Sequence, residues 1–232
     1  MCGVAAQTRR ALDWFIPKSK AEKIWDGELA DSYNIRPTDP AFIVTETDKG
    51  KVLDMMKFGL IPSFANTDKM EFATFNAKVE TIEQLASYKT PFKKHQFGIM
   101  VVDGYFEFLK QDKERIPFYF TLKNGEPMLL ACLYEVNTRA SDKPIKSFTI
   151  ITVSSNEVVG EIHDKKRMPA QLSFEDAMEW LNPDTEPERA KELLITFPDE
   201  PMQRFMVSKM VNNSRSAGSD LILPLESPLN SL

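Results

Sequence analysis

Phe97-Gly98-Ile99-Met100-Val101-Val102-Asp103-Gly104-Tyr105-Phe106-Glu107-Phe108 is the most strand-like run of this chain. β-Branched and aromatic side chains fill it, which suits a pleated, largely buried surface. Asp103-Gly104 interrupts the run and predicts a strand with a bulge or bend there. Glu107 stands alone among aromatic residues. A carboxylate in apolar surroundings is costly unless it is paired or put to use, and desolvation moves its pKa toward neutrality, where it serves as a proton donor. An outward-facing place on an edge strand is the alternative.

On either side of this run, strands dominate and helices punctuate. Residues 41–46 and 52–60 read as strands separated by turn chemistry from Thr47 to Gly50. Residues 116–122 and 128–136 are expected to pair across Asn124-Gly125, a hairpin signal, and residues 147–153 and 203–207 read as further strands. Helices are expected over 9–16, stopped by Pro17, and over 78–88, with a short one over 156–162. Ser173 can cap a helix running to Trp180, and Pro187 can open one reaching Ile195. The expected fold is α+β, a single domain over residues 1–224 with a curved or barrel-like, mainly antiparallel or mixed sheet, followed by a loose tail over 225–232.

The chain has 232 residues, 42% of them hydrophobic, with 16 Phe and 11 Met to build one sizeable core. No apolar run is long enough for a membrane span and no signal peptide is visible. Two cysteines make no disulfide framework, so a reducing, cytoplasmic setting is expected. A net charge of −5 argues against a broad basic face that coats duplex DNA, so any nucleic-acid reading rests on local clusters.

Four places can carry chemistry. Cys2 acquires an α-amine beside its thiol once Met1 is removed. With ordinary pKa values of roughly 8 for the amine and about 8.5 for the thiol, such a residue can condense with an aldehyde to a Schiff base and close to a thiazolidine; an incidental cysteine is the alternative. Glu107 is the second. The third is His163, one of two histidines, followed closely by Lys165, Lys166 and Arg167, which can place a proton shuttle beside a phosphate-binding patch or form a solvated basic loop. The fourth is Asn76, an N-cap or a holder of a sugar or phosphate oxygen. Cys132 reads as a core thiol and His95 as a surface residue. No metal-ligand spacing, dinucleotide fingerprint, P-loop or zinc-protease motif is present, so no metal or nucleotide cofactor is expected.

In order along the chain, Met1-Cys2-Gly3, Tyr33-Asn34-Ile35-Arg36-Pro37, Phe58-Gly59-Leu60-Ile61-Pro62, Asn76 to Thr81, Asp103 to Phe108, Ile162-His163-Asp164 with Arg167-Met168-Pro169, and Val211-Asn212 with Gly218 resemble the segments of the SRAP family. These are SOS response-associated peptidase-like proteins that crosslink to abasic sites. The resemblance implies that Cys2 bonds to the ring-opened sugar aldehyde of an abasic site in single-stranded DNA after self-removal of Met1. It further implies that Asn76 holds the sugar or its phosphate, that Glu107 is the acid–base group near the amine, and that His163 shuttles protons to the sugar hydroxyl. Lys78, Lys165, Lys166, Arg167 and Arg215, with Arg36, become candidate phosphate contacts, and Phe64 a residue that stacks on a base or wedges the strand. A monomer is expected. Val4 and Lys78 replace the arginines usual at those places, and Phe58 and Phe108 replace tryptophans. These departures fall on the grip on DNA and leave the covalent chemistry intact. The competing readings are an N-terminal-cysteine peptidase or amidase acting on other proteins, and a non-catalytic single-stranded DNA-binding module.

Overall fold

A computed structural model describes residues 3–24, 27–69 and 73–225. The strands are β1 (Ala5–Gln7), β2 (Glu22–Lys23), β3 (Ser32–Ile35), β4 (Pro40–Thr47), β5 (Gly50–Phe58), β6 (Asn76–Lys78), β7 (Phe97–Val102), β8 (Gly104–Gln111), β9 (Glu114–Leu122), β10 (Met128–Asn137), β11 (Ile145–Ser154), β12 (Arg167–Pro169), β13 (Gln171–Leu172) and β14 (Met202–Met206). The helices are α1 (Arg9–Ser19), α2 (Ala86–Lys93), α3 (Glu157–Gly160), α4 (Phe174–Leu181) and α5 (Pro187–Glu192). Two sheets result, one ordered β14-β9-β8-β1-β3 and one ordered β12-β11-β10-β7-β4-β5-β2, with β13 on β10 and β6 on β11. A parallel pairing of β5 with β11, Phe58 beside Phe148, closes the larger sheet into a ring. The α+β, barrel-like reading is correct.

The 97–108 run is two strands in two sheets. β7 pairs with β4 and β10, and β8 pairs with β1 and β9. Asp103 is the bend where the chain passes from one sheet to the other, and Gly104 makes that passage possible. A Cβ there would lie 2.3 Å from Phe120 O and 2.5 Å from Tyr119 Cζ. Alternation then sorts the side chains of β8. Tyr105 joins the main core between the sheets, whereas Phe106 joins a smaller cluster with Val4, Ala6 and Tyr119. Glu107, two residues on from Tyr105, therefore points to the same side as that buried tyrosine. In the main core Trp180 stacks on Phe97 at 4.0 Å and donates Nε1–H to Gly98 O.

Several local expectations need correction. β9 and β10 do not pair. Asn124-Gly125 does turn, with Gly125 N–H bonded to Leu122 O, but it hands the chain from one sheet to the other. The hairpin partner of β9 is β8, closed by Gln111 opposite Glu114 around Asp112, whose φ is +53°. α1 runs through Pro17 to Ser19: Pro17 forgoes the bond its nitrogen would make to Asp13 O, and the burial of Ala11, Leu12, Phe15 and Ser19 along one face offsets that loss. The expected 78–88 helix is a short 3-10 turn, Val79–Thr81, followed by α2. Asn76 is no N-cap, since β6 lies parallel to β11. The helices near 156 and 187 start where expected and are shorter than read, while Ser173 caps α4 through Asp176 N–H. β4 and β5 form the expected hairpin, with Gly50 at φ +111°, but β5 stops at Phe58 and does not reach residue 60. Apart from Leu225, whose N–H bonds to Met206 O, the expected tail lies outside the described residues. No helix among the described residues is long and apolar enough to cross a membrane.

Candidate active site

Two clamps fix the strand that carries the N-terminus. The buried Gln7 side chain donates to Phe42 O (2.9 Å) and Val101 O (2.8 Å) and accepts from Phe42 N–H (2.8 Å), pinning β1 to the larger sheet. Asp103 accepts from Thr8 N–H (2.8 Å), Thr8 Oγ1 (3.0 Å), Arg10 Nε (3.1 Å) and Arg10 Nη2 (2.8 Å). β1 is thereby laid antiparallel to β8, with Ala5 opposite Tyr105 and Phe106 N–H bonded to Val4 O.

Glu107 emerges from this pairing only 2% exposed, facing His163, also 2% exposed, with Nε2 3.8 Å from Glu107 Oε2. Burial pushes the Glu107 carboxyl up to about 7 and the His163 imidazole down to about 4. Lys165 and Lys110 add to the depression of His163, and Asp164 opposes it. His163 sits just after α3, its N–H bonded to Val159 O (2.9 Å), and its Nδ1 accepts from Arg167 N–H at 3.3 Å. An accepting Nδ1 puts the proton of the neutral ring on Nε2, the nitrogen that lies 3.8 Å from Glu107 Oε2. At neutral pH the site thus holds a neutral imidazole donor and a carboxyl near its midpoint, which gives and takes a proton with equal ease.

These two side chains form part of a pocket of about 300 Å³. Gly3 and Val4 line one part of it, Phe75 and Phe108 supply apolar wall, and Arg36, Lys110, Arg115 and Lys165 bring positive charge. The pocket can take a small polar or anionic group and move protons at its buried end.

The sequence profile of the SOS response associated peptidase (SRAP) family matches residues 1–214. The chain belongs to that family. Among curated SRAP relatives, abasic site processing protein YoqW of Bacillus subtilis is 31% identical over 91% of this chain and 90% of its own length. Abasic site processing protein YedK of Escherichia coli is 28% identical over 97% of this chain and all of its own. A crystal structure of a protein from Bacteroides thetaiotaomicron shares the fold, with a TM-score of 0.83 at 23% identity, covering 97% of this chain and 100% of that one.

On this SRAP fold the residues singled out in the sequence are only partly brought together. Glu107, His163, Arg36 and Lys165 line the pocket. Asn76 follows the pocket residue Phe75, whose carbonyl accepts its Nδ2–H at 2.9 Å, and its own carbonyl accepts from Tyr88 OH at 3.1 Å. Together with Lys78 it lines a separate cavity of about 500 Å³. Arg167 faces elsewhere, gripping Glu80 through both Nη atoms (2.5 and 2.9 Å) and reaching Thr152 Oγ1. Lys166, at φ +52°, donates Nζ to Gly160 O. Arg215 and Phe64 are exposed on loops and line none of these cavities. Cys2 lies outside the described residues; Gly3, its neighbour, lines the pocket. His95 is half-buried, its ring 4.0 Å from that of Phe97, so it is not the surface residue expected. Cys132 is buried in the core, and burial pushes its thiol far above the ordinary value. Sequence reasoning missed Lys110 and Arg115 because they fall outside the motifs, and it quoted Asp164 within the Ile162-His163-Asp164 segment without giving it a role. The available signal was the pair of basic residues flanking Asp112-Lys113, a possible turn.

Proposed function

We propose that this chain processes abasic sites by forming a covalent crosslink between Cys2 and the ring-opened sugar aldehyde in single-stranded DNA. The observation that carries this reading is the buried Glu107–His163 pair in a pocket that the N-terminal strand enters through Gly3. Hydrolysis of the Met1–Cys2 peptide consumes one water and frees the α-amine of Cys2. The C1′–O bond of the sugar ring breaks as the proton of the C1′ hydroxyl passes to the ring oxygen, with His163 Nε2–H hydrogen-bonded to that oxygen and its proton replaced from the C1′ hydroxyl, giving an aldehyde at C1′ and a free hydroxyl. The Cys2 amine adds to the aldehyde carbon, and Glu107 protonates the departing hydroxyl, so that water leaves and an imine forms. The Cys2 thiol adds to the imine carbon and its proton ends on nitrogen, closing a thiazolidine. The net condensation releases one water. Asn76 holds the sugar or its flanking phosphate, and Lys78, Arg36 and Lys165 supply charge for the strand. Names of curated relatives as abasic site processing proteins support the substrate.

The test is a denaturing gel of the protein with single-stranded DNA in which a uracil has been excised by a glycosylase. A heat-stable shifted band is expected with the parent chain and none with Cys2→Ala. An undiminished band with Cys2→Ala, or none with either, overturns the reading.

A further inference from the structure

On the β8–β9 hairpin, Lys110 and Arg115 stand directly opposite each other across the two strands. Like charges so placed destabilise a hairpin. A third cation, Arg36, lines the same pocket. Arg36 is held by Asn34 Oδ1, which accepts from Nε at 3.0 Å, and by Val211 O, which accepts from Nη2. Both partners are neutral and cancel none of its charge. Its guanidinium is pushed below its ordinary range by burial first and by the charge of Arg115 second, with Asp39 opposing. Arg115 has its Cζ 4.3 Å from the centroid of the Phe108 ring. Stacking on an aromatic face parks a guanidinium without using its N–H donors. Among the described residues no carboxylate pairs with Arg115. Lys110 meets Asp164 at 2.9 Å, but the two side chains are 63% and 54% exposed, so this pair is weak and exchangeable.

Three of the four cations that line the pocket, one of them stacked with its donors unspent, make a site for an anion. We propose that Arg36, Lys110 and Arg115 seat one backbone phosphate of the single strand. This deepens the reading that the abasic nucleotide enters this pocket, and it rests on that reading. A sugar within a strand carries a phosphate on each side. Asn76 and Lys78, on the adjoining cavity, can serve one of them, and the hairpin seat serves the other. The seat also offsets the cations missing at Val4 and weakened at Lys78, since two of its three charges, Lys110 and Arg115, come from a hairpin outside the family motifs.

The test uses an oligonucleotide with a tetrahydrofuran abasic analogue, which binds but cannot crosslink, titrated across salt concentrations. Arg115→Ala and Lys110→Ala are each expected to lower the salt slope, together by no more than about 0.7, the value for one single-strand phosphate contact, and to weaken binding about tenfold. Arg115→Lys keeps the slope, and Lys123→Ala, remote on the β9–β10 turn, changes nothing. Circular dichroism melts verify that each variant folds. A neutral methylphosphonate placed at one of the two linkages beside the analogue weakens the parent chain and weakens Arg115→Ala less. Parent-like slopes in both alanine variants, or equal losses with the neutral linkages in parent and Arg115→Ala, overturn the seat. Crosslinking of a true abasic strand is measured in parallel. Its absence with the slope changes intact overturns the covalent reading alone; its presence with unchanged slopes overturns the seat alone. A parent chain that does not bind the strand overturns both.

Discussion

Replacing Glu107 by Gln preserves the side chain's shape and removes its titration, so its effect on stability must depend on pH. The folded carboxyl is pushed from 4.5 up to about 7 by burial. An unfolded chain releases this proton near 4.5, whereas the folded chain holds it until about 7. Between those values the folded state binds more protons, so the Glu107 contribution to stability is full at low pH and is lost as pH rises through the window. A span of about 2.5 pH units at about 1.36 kcal/mol each gives a loss of about 3 kcal/mol. His163 runs the opposite way. Its imidazole is pushed from 6.5 down to about 4, so its contribution is present above 6.5 and lost as pH falls toward 4. In the parent chain the two slopes oppose each other where the windows overlap. In Glu107→Gln the His163 slope stands alone. Urea unfolding from about pH 4.5 to about pH 7.5 is expected to show the variant gaining about 3 kcal/mol on its parent across that range. A difference between the two that stays constant over the range refutes the argument that Glu107 is a buried, proton-holding carboxyl.

Two further outcomes follow from the packing. Gly104→Ala places a methyl against Phe120 O and the Tyr119 ring and is expected to cost about 1–3 kcal/mol in urea unfolding, with crosslinking reduced because β1 and β8 shift together. Arg167→Ala is expected to lower stability by about 1 kcal/mol, discounted because Glu80 is half exposed, and to leave the salt slope of DNA binding unchanged.

The chemistry of this chain was more legible than its topology. The aromatic neighbours of Glu107 marked it for attention but left burial and an outward-facing place on an edge strand both open, and the placing of β8 between β1 and β9 decides for burial. Which strand pairs with which could not be read. Asn124-Gly125 and Asp103-Gly104 both look like local punctuation, yet both carry the chain between sheets, and long-range strand pairing, not the local residues, distinguishes passage from hairpin or bulge. The basic run from Lys165 to Arg167 looked like one phosphate patch. Its three side chains diverge, because Arg167 meets Glu80, 87 positions away in sequence, and Lys166 turns back onto Gly160. Conversely, Lys110 and Arg115 acquire meaning only when the β8–β9 register sets them face to face at the pocket. Asn76 was recognised by motif rather than by its local preference, which pointed to a helix cap where β11 instead recruits it into a strand.

The most direct test of the central claim is the intact mass of the adduct formed with an abasic single strand, followed by peptide mapping. The expected mass is the chain lacking Met1 plus the oligonucleotide less one water, with the modification on Cys2. An adduct that retains Met1, or one mapped to any other residue, contradicts it.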